Sequence, residues 1–280
     1  MSDDAEAARH VARNIKAYAK RAASYDDIHG EIFNQHEQLR LREALSNASN
    51  AVRSSGRRAL DFGAGSGNVT RHMVALGYDV TAADVSPEFL RDVATSFEVQ
   101  TIELADGSLS YIPDETFDIV GVYSVMHHIP DYLAAASGLV TKLKPGGVLL
   151  IDHERNDHHW DPPPILTEFR RENANARTGE WWDPEHKRWQ FLLRAAASPS
   201  RHMARIRRWR RISDEGDIHI YPDDRIEWTS LIRTLETAGA ELVARMDYLL
   251  YEAGYDEEVW ERYRHRCDDV TCVIVRRVAA

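Results

Sequence analysis

Three stretches of this sequence carry residue types and spacings suited to chemistry. In Ala59-Leu-Asp-Phe-Gly-Ala-Gly-Ser-Gly67 an apolar run gives way to a glycine-rich turn, and Val69, Met73 and Leu76 then recur at helical spacing. Glycines at such a strand-to-helix turn let backbone N–H groups approach a ligand with no Cβ in the way, and the helix N-terminus adds partial positive charge. Asp61, Gly63, Ala64 and Gly65 are therefore candidates for holding a polar cofactor. The second stretch is a pair of strand ends: one apolar run closes at Asp84-Val85 and the next at Asp106-Gly107. Carboxylates closing successive parallel strands gather on one sheet edge, where one can accept both hydroxyls of a ribose. The third is Tyr123-Ser-Val-Met-His-His-Ile-Pro-Asp131. Histidine, with an ordinary pKa of about 6.5, is suited to proton transfer. His128 is the candidate general base. Its neighbour His127 is a candidate substrate contact, since consecutive residues at a helix start point in different directions.

These residues need elements to place them. Val11, Ile15, Tyr18 and Ala22 mark a helix over 4–22, and a second helix is expected over 31–52, ending in the turn-rich Arg53-Ser-Ser-Gly56. From Arg58 to Ile151 short strands alternate with helices. Ser86-Pro87 supplies an N-cap and an N1 proline, Gly77 a helix C′ residue, and Lys144-Pro-Gly-Gly147 a turn. Such alternation predicts a parallel sheet with right-handed crossovers. The pattern breaks at His153. It returns as a helix near Arg225–Ala238, with strands over Glu241–Leu250 and Val270–Val275. The expected division is thus an N-terminal helical segment over 1–55, an α/β core over 56–152 and 225–280, and an insertion over 153–224.

Taken in order, the motifs resemble those of the class I S-adenosylmethionine-dependent methyltransferases. Leu60-Asp-Phe-Gly-Ala-Gly-Ser-Gly67 is similar to the glycine-rich first motif, Ala83-Asp-Val-Ser-Pro-Glu88 to the second, and Ala105-Asp-Gly107 with Phe117-Asp-Ile-Val120 to the third. Leu143-Lys-Pro-Gly-Gly147 is similar to the turn before the fifth strand. The resemblance implies an α/β, Rossmann-like, mostly parallel seven-stranded sheet with helices on both faces. It implies S-adenosylmethionine as cofactor, with Asp84 on the ribose, Asp106 near the adenine, and Val85, Gly107 and Tyr123 also at the cofactor. Tyr25 falls in a segment that can fold over the cofactor in similar enzymes and is a candidate substrate contact. The implied activity is methyl transfer to oxygen, nitrogen or carbon of a small-molecule acceptor, with a specialised metabolite or sugar intermediate expected. Two readings compete. One is a protein that binds this cofactor for another reaction or for binding alone. The other is an NAD-dependent oxidoreductase, whose G-x-G-x-x-G fingerprint needs glycine or alanine where this chain has Asn68.

Composition narrows the partners. The formal net charge of −10 argues against a nucleic-acid partner. The arginine-rich run Arg201–Arg211 reads as a solvated face near Asp214, Glu215 and Asp217. No apolar stretch reaches membrane-spanning length, and the acidic start Met1-Ser-Asp-Asp lacks the pattern of a secretory signal, so a cytoplasmic setting is expected. Cys267 and Cys272 form no disulfide framework, and Cys272 within an apolar run reads as a small core residue. Asp152-His-Glu-Arg-Asn-Asp-His-His-Trp160 is rich in metal-type ligands, but at no familiar spacing. No metal is expected, and activity is expected to survive chelators. His153 and Trp160 are read as substrate contacts, with Trp181, Trp182 and Trp189 of the insertion lining the acceptor pocket.

Overall fold

A computed structural model describes residues 29–178, 217–252 and 254–278. The expected helix over 4–22, Tyr25, the tryptophans at 181, 182 and 189, and the arginine run lie outside the described residues. Of the helices that can be described, none is long and apolar enough to cross a membrane.

The expected alternation is present. Strands β1 (Arg58–Phe62), β2 (Asp79–Asp84), β3 (Gln100–Glu103), β4 (Phe117–Tyr123) and β5 (Leu143–Arg155) are parallel. Near the C-terminus, β8 (Ala240–Tyr248) and β9 (Val270–Arg277) complete a seven-stranded sheet of order β3-β2-β1-β4-β5-β9-β8. β9 runs antiparallel to both of its neighbours. The strand order reverses between β1 and β4, so a crevice opens at the carboxyl ends of those two strands.

Helices α1 (Gln35–Ala51) and α2 (Asn68–Ala75) cover one face, where Leu41, Leu45 and Met73 are fully buried against Ile119, Leu150 and Ile274. α1 is capped by Asn34, whose side chain accepts from Glu37 N, and it buries a stripe of Leu41, Ala44, Leu45 and Ala48. On the other face, α4 (Tyr132–Lys142) and α7 (Trp228–Thr237) bury Leu139, Val140, Leu231 and Leu235 against β4, β5 and β9. Helix α3 (Pro87–Phe97) starts as the sequence predicts: Ser86 caps it by accepting from Phe89 N, and Pro87 opens it. α4 begins at Tyr132, two residues past Pro130, where the Asp131 side chain caps it by accepting from Ala134 N. The residues before it, Met126–His128, form a single 3-10 turn.

The largest difference from the sequence reading lies at the expected boundary at 153. β5 does not stop at Ile151 but runs to Arg155, through a bulge against β9 between Ile151 and Glu154. The first residues of the polar run 152–160 are therefore strand, and Glu154 and Arg155 pair with Thr271 and Val270 of β9. After β5 come α5 (Asp157–Trp160), α6 (Pro164–Thr178) and a short hairpin of β6 (Ile220–Tyr221) and β7 (Asp224–Arg225). A helix in the β8–β9 connection, α8 (Glu257–Tyr263), joins α6 in a separate apolar cluster of Leu166, Phe169, Val259, Trp260 and Tyr263. Cys272 is fully buried, as its apolar surroundings predict, and Cys267 is also buried; both are free thiols.

Candidate functional site

The glycine turn is shaped by what surrounds it. Gly63, at φ +73°, donates to Ala83 O at 2.8 Å, and a Cβ there would fall 2.4 Å from Val125 Cγ2. No other residue fits without moving the segment after β4. Gly65, at φ +50°, faces open space, with no atom within 4 Å of where its Cβ would stand. Its N–H donates to Asp84 Oδ2 at 2.9 Å, and Ser86 N donates to Oδ1 at 2.8 Å. Asp84 is almost wholly buried, and that burial pushes its carboxyl above the ordinary range despite the backbone donors. A loop backbone, a carboxylate and open space between them suit a ligand presenting hydroxyls and a polar chain.

The other expected cofactor residues divide by environment. Asp61 is 1% exposed, and its Oδ2 accepts from Thr70 N at 2.8 Å and Thr70 Oγ1 at 2.6 Å. Its carboxylate is spent fastening α2 to β1, so it shapes the turn and offers no surface to a ligand. The Ala64 side chain is likewise buried, beside Leu90 and Val93, leaving only its backbone at the turn. Val85 packs partly into the core. Asp106 and Gly107 occupy an exposed turn past β3, where Asp106 Oδ1 accepts from Ser108 N and Gly107 takes φ +75°.

Just past the last β4–β5 pair, Tyr123 and Asp152, two non-glycine residues adopt left-handed backbone: Ser124 at φ +58° and His153 at φ +64°. Strain of this kind persists only where surrounding structure enforces it, and it gathers at functional sites. His153 stacks on Tyr123, with ring centroids 4.6 Å apart. Its Nε2 is buried and finds no partner among the described residues. Burial first, then the nearby Arg40 and Arg155, hold its pKa well below the ordinary histidine value, so the ring is neutral. Tyr123 is buried, and its hydroxyl donates to Glu37 at 2.8 Å. Arg40 joins Glu37 to Asp152 at 2.8 Å, and Tyr248 donates to the same Asp152 at 3.1 Å. Sequence reasoning missed Glu37, Arg40, Asp152 and Tyr248 as a group, because they come from α1, β5 and β8 and share no local pattern. Trp160 packs edge-on against His159, with its Nε1 unpartnered among the described residues.

The two histidines after β4 differ sharply. His127 Nδ1 lies 2.7 Å from Glu154 Oε2, and Glu154, 1% exposed, also accepts from Val125 N and Met126 N through Oε1. Burial disfavours the charged ring of His127, but Glu154 outweighs it and raises the pKa. His128 Nδ1 lies 3.1 Å from Asp217 Oδ1. Nothing in the spacing reveals Glu154 or Asp217: the first sits past a bulge and the second arrives from the far end of the insertion.

A family profile described as "Methyltransferase domain" matches residues 33–244. The chain belongs to this methyltransferase-domain family. It is 33% identical over 105 residues to a ubiquinone biosynthesis O-methyltransferase of Xanthomonas campestris pv. campestris (strain B100), covering 34% of this chain and 42% of that protein. It is 28% identical over 140 residues to the protein so named from Aliivibrio fischeri (strain MJ11), covering 48% and 58%. The chain thus spans about half the length of the curated relatives it matches. Among solved structures, the N-methyltransferase NodS of Bradyrhizobium japonicum in complex with S-adenosyl-L-homocysteine has a TM-score of 0.54 at 15% identity, covering 95% of this chain and 98% of that one. A methyltransferase of Methanosarcina mazei has a TM-score of 0.50 at 16% identity, covering 83% and 97%. These likenesses show the shared fold.

Proposed function

We propose that this protein transfers a methyl group from S-adenosylmethionine to a hydroxyl oxygen of a small-molecule acceptor. The observation that carries the reading is the cradle formed by the Gly63–Gly67 turn and the buried Asp84 carboxylate, at the carboxyl ends of β1 and β2 in a methyltransferase-family sheet. The open side of Gly65 is a space that a Cβ would fill, and it fits the cofactor. Gly65 N–H and Asp84 would hold it, Asp84 accepting from ribose hydroxyls. Asp61 holds the loop through Thr70, and Tyr123 closes the β4 end. When bound, the cofactor supplies an activated methyl on a sulfonium, so the protein's own task is alignment of the acceptor and exclusion of water.

The oxygen acceptor is supported by the O-methyltransferase names of the relatives. His128 and His127, which follow β4, and His153 and Trp160, from the end of β5 and the helix after it, are the residues we place against the acceptor. Incubation of the purified chain with S-adenosylmethionine and a panel of phenolic and alcoholic small molecules should release S-adenosylhomocysteine with at least one of them. Binding of S-adenosylhomocysteine with no transfer to any hydroxyl acceptor, but with transfer to amines, would replace oxygen by nitrogen in this reading. No binding at all would remove the reading.

A further inference from the structure

We propose that His127, His128 and Asp217 form a divalent-cation site that holds and activates the acceptor's oxygen. The inference deepens the proposed function and rests on it for the identity of the acceptor. Each of the three side chains offers one ligand atom, and these atoms lie within 4.8 Å of one another. That spacing lets a single ion contact all three. Two imidazoles and one carboxylate, with coordination positions left over for a substrate oxygen, suit a first-row divalent cation such as zinc or cobalt.

The surroundings are built for this role. A carboxylate can only accept, so the 2.7 Å contact to Glu154 puts the proton of the neutral His127 ring on Nδ1 and its lone pair on Nε2. Metal-binding histidines are regularly oriented in this way by a carboxylate behind them. Glu154 is itself fixed by two backbone donors from the same turn, Val125 N and Met126 N. Asp217 is delivered from outside the core. The chain next to it is stitched to the turn, with Ile218 N and His219 N donating to His127 O at 3.0 and 3.3 Å and the His219 ring 3.0 Å from Ile129 O. The end of the insertion therefore completes a cluster begun at the end of β4. A cation there would lower the pKa of an acceptor hydroxyl bound to it. The hydroxyl proton leaves to water, the oxygen forms its bond to the methyl carbon, and the carbon–sulfur bond breaks with S-adenosylhomocysteine as leaving group. Such a site would depart from the sequence expectation of no metal, which rested on the polar run 152–160.

The test uses the full chain after chelator treatment, titrated with Co²⁺ and followed by calorimetry and visible absorption. The proposal expects one Co²⁺ per chain with the absorption of nitrogen ligation. It expects the affinity to fall tenfold or more in Asp217→Asn and in His127→Ala, and by about 10- to 100-fold in Glu154→Gln. Asp217→Asn keeps the size of a partly exposed side chain, and its S-adenosylhomocysteine affinity should match the parent, which separates a lost metal from a lost fold. Failure to bind Co²⁺ stoichiometrically, or binding unchanged in Asp217→Asn, overturns the site. If S-adenosylhomocysteine binds normally while Co²⁺ does not, the methyltransferase reading stands without the metal and His128 reverts to a proton acceptor paired with Asp217. If neither binds, the proposed function itself fails.

Discussion

Asp84 and Asp61 show how one residue type serves two purposes twenty-odd positions apart. Both are buried carboxylates near the same turn. Asp84 spends its acceptors on loop N–H groups that border open space, whereas Asp61 spends its own on Thr70 within the protein. Removing the Asp84 side chain should cost about 2 kcal/mol or more of S-adenosylhomocysteine binding, as expected for losing charge-assisted hydrogen bonds. Calorimetry on Asp84→Ala reads this directly, and an unchanged affinity would take Asp84 out of the cofactor site. Asp61 answers to stability. Burial raises its pKa to about 7 in the folded chain, against about 3.9 when unfolded. With the folded value above the unfolded one, its contribution is fully present below about pH 4 and is lost as pH rises through 7. Asp61→Asn keeps an acceptor for Thr70 but cannot ionise, so denaturant unfolding across that window should lose part of its downward slope with pH. An unaltered slope would place the titrating group elsewhere.

Among the elements, α1 is anchored to the sheet by more than its apolar stripe. Arg40 lies between Glu37 of its own helix and Asp152 of β5, and its guanidinium sits over the Tyr248 ring, 3.9 Å from the centroid. Removing the cation leaves two buried carboxylates facing each other, a change that typically costs 3–5 kcal/mol, against far less for an exposed pair. Arg40→Ala should therefore destabilise the fold by about that amount in denaturant unfolding. Arg40→Lys should recover part of the loss, since one charge remains but the forked geometry does not. If both variants unfold like the parent, the bridge adds nothing beyond the packing of Leu41 and Leu45. The strained pair Ser124 and His153 belongs to this scale too, because the β4–β5 pairing stops at Tyr123 and Asp152 and the bulge in β5 sets where His153 turns.

For the whole molecule, the sheet core and the α6–α8 cluster are distinct apolar assemblies joined at the ends of β5 and β9. Arg155 bridges Asp269 and Glu252 there, and Asn156 donates to Asp268. Phe169 is fully buried in the smaller assembly, edge-on to Tyr255 at 5.1 Å. Phe169→Ala should cost about 3–5 kcal/mol of stability. Its contacts are remote from the Gly63–Gly67 turn, so S-adenosylhomocysteine affinity of the folded variant should stay within about twofold of the parent, since effects at separated sites are nearly independent. A large loss of affinity would mean that the α6–α8 cluster supports the cofactor cradle after all.

The sequence by itself determined the strand–turn–helix units, because hydrophobic periodicity, Ser86-Pro87, Gly77 and the glycine turn act within a few residues of chain. It also determined Asp84, since a carboxylate at the end of the second strand follows from the alternation of elements. It could not determine that Asp61 turns inward to Thr70, which depends on α2 folding back over β1. Nor could it show that β5 continues through His153 and Glu154, because a bulge breaks the period-two pattern by which strands are recognised. The long-range polar pairs were decided by tertiary structure alone: Glu37 and Arg40 come from α1, Asp152 and Glu154 from β5, Tyr248 from β8 and Asp217 from the end of the insertion. Contacts between residues so far apart in the chain leave no local spacing, and only the closing of the sheet brings them together.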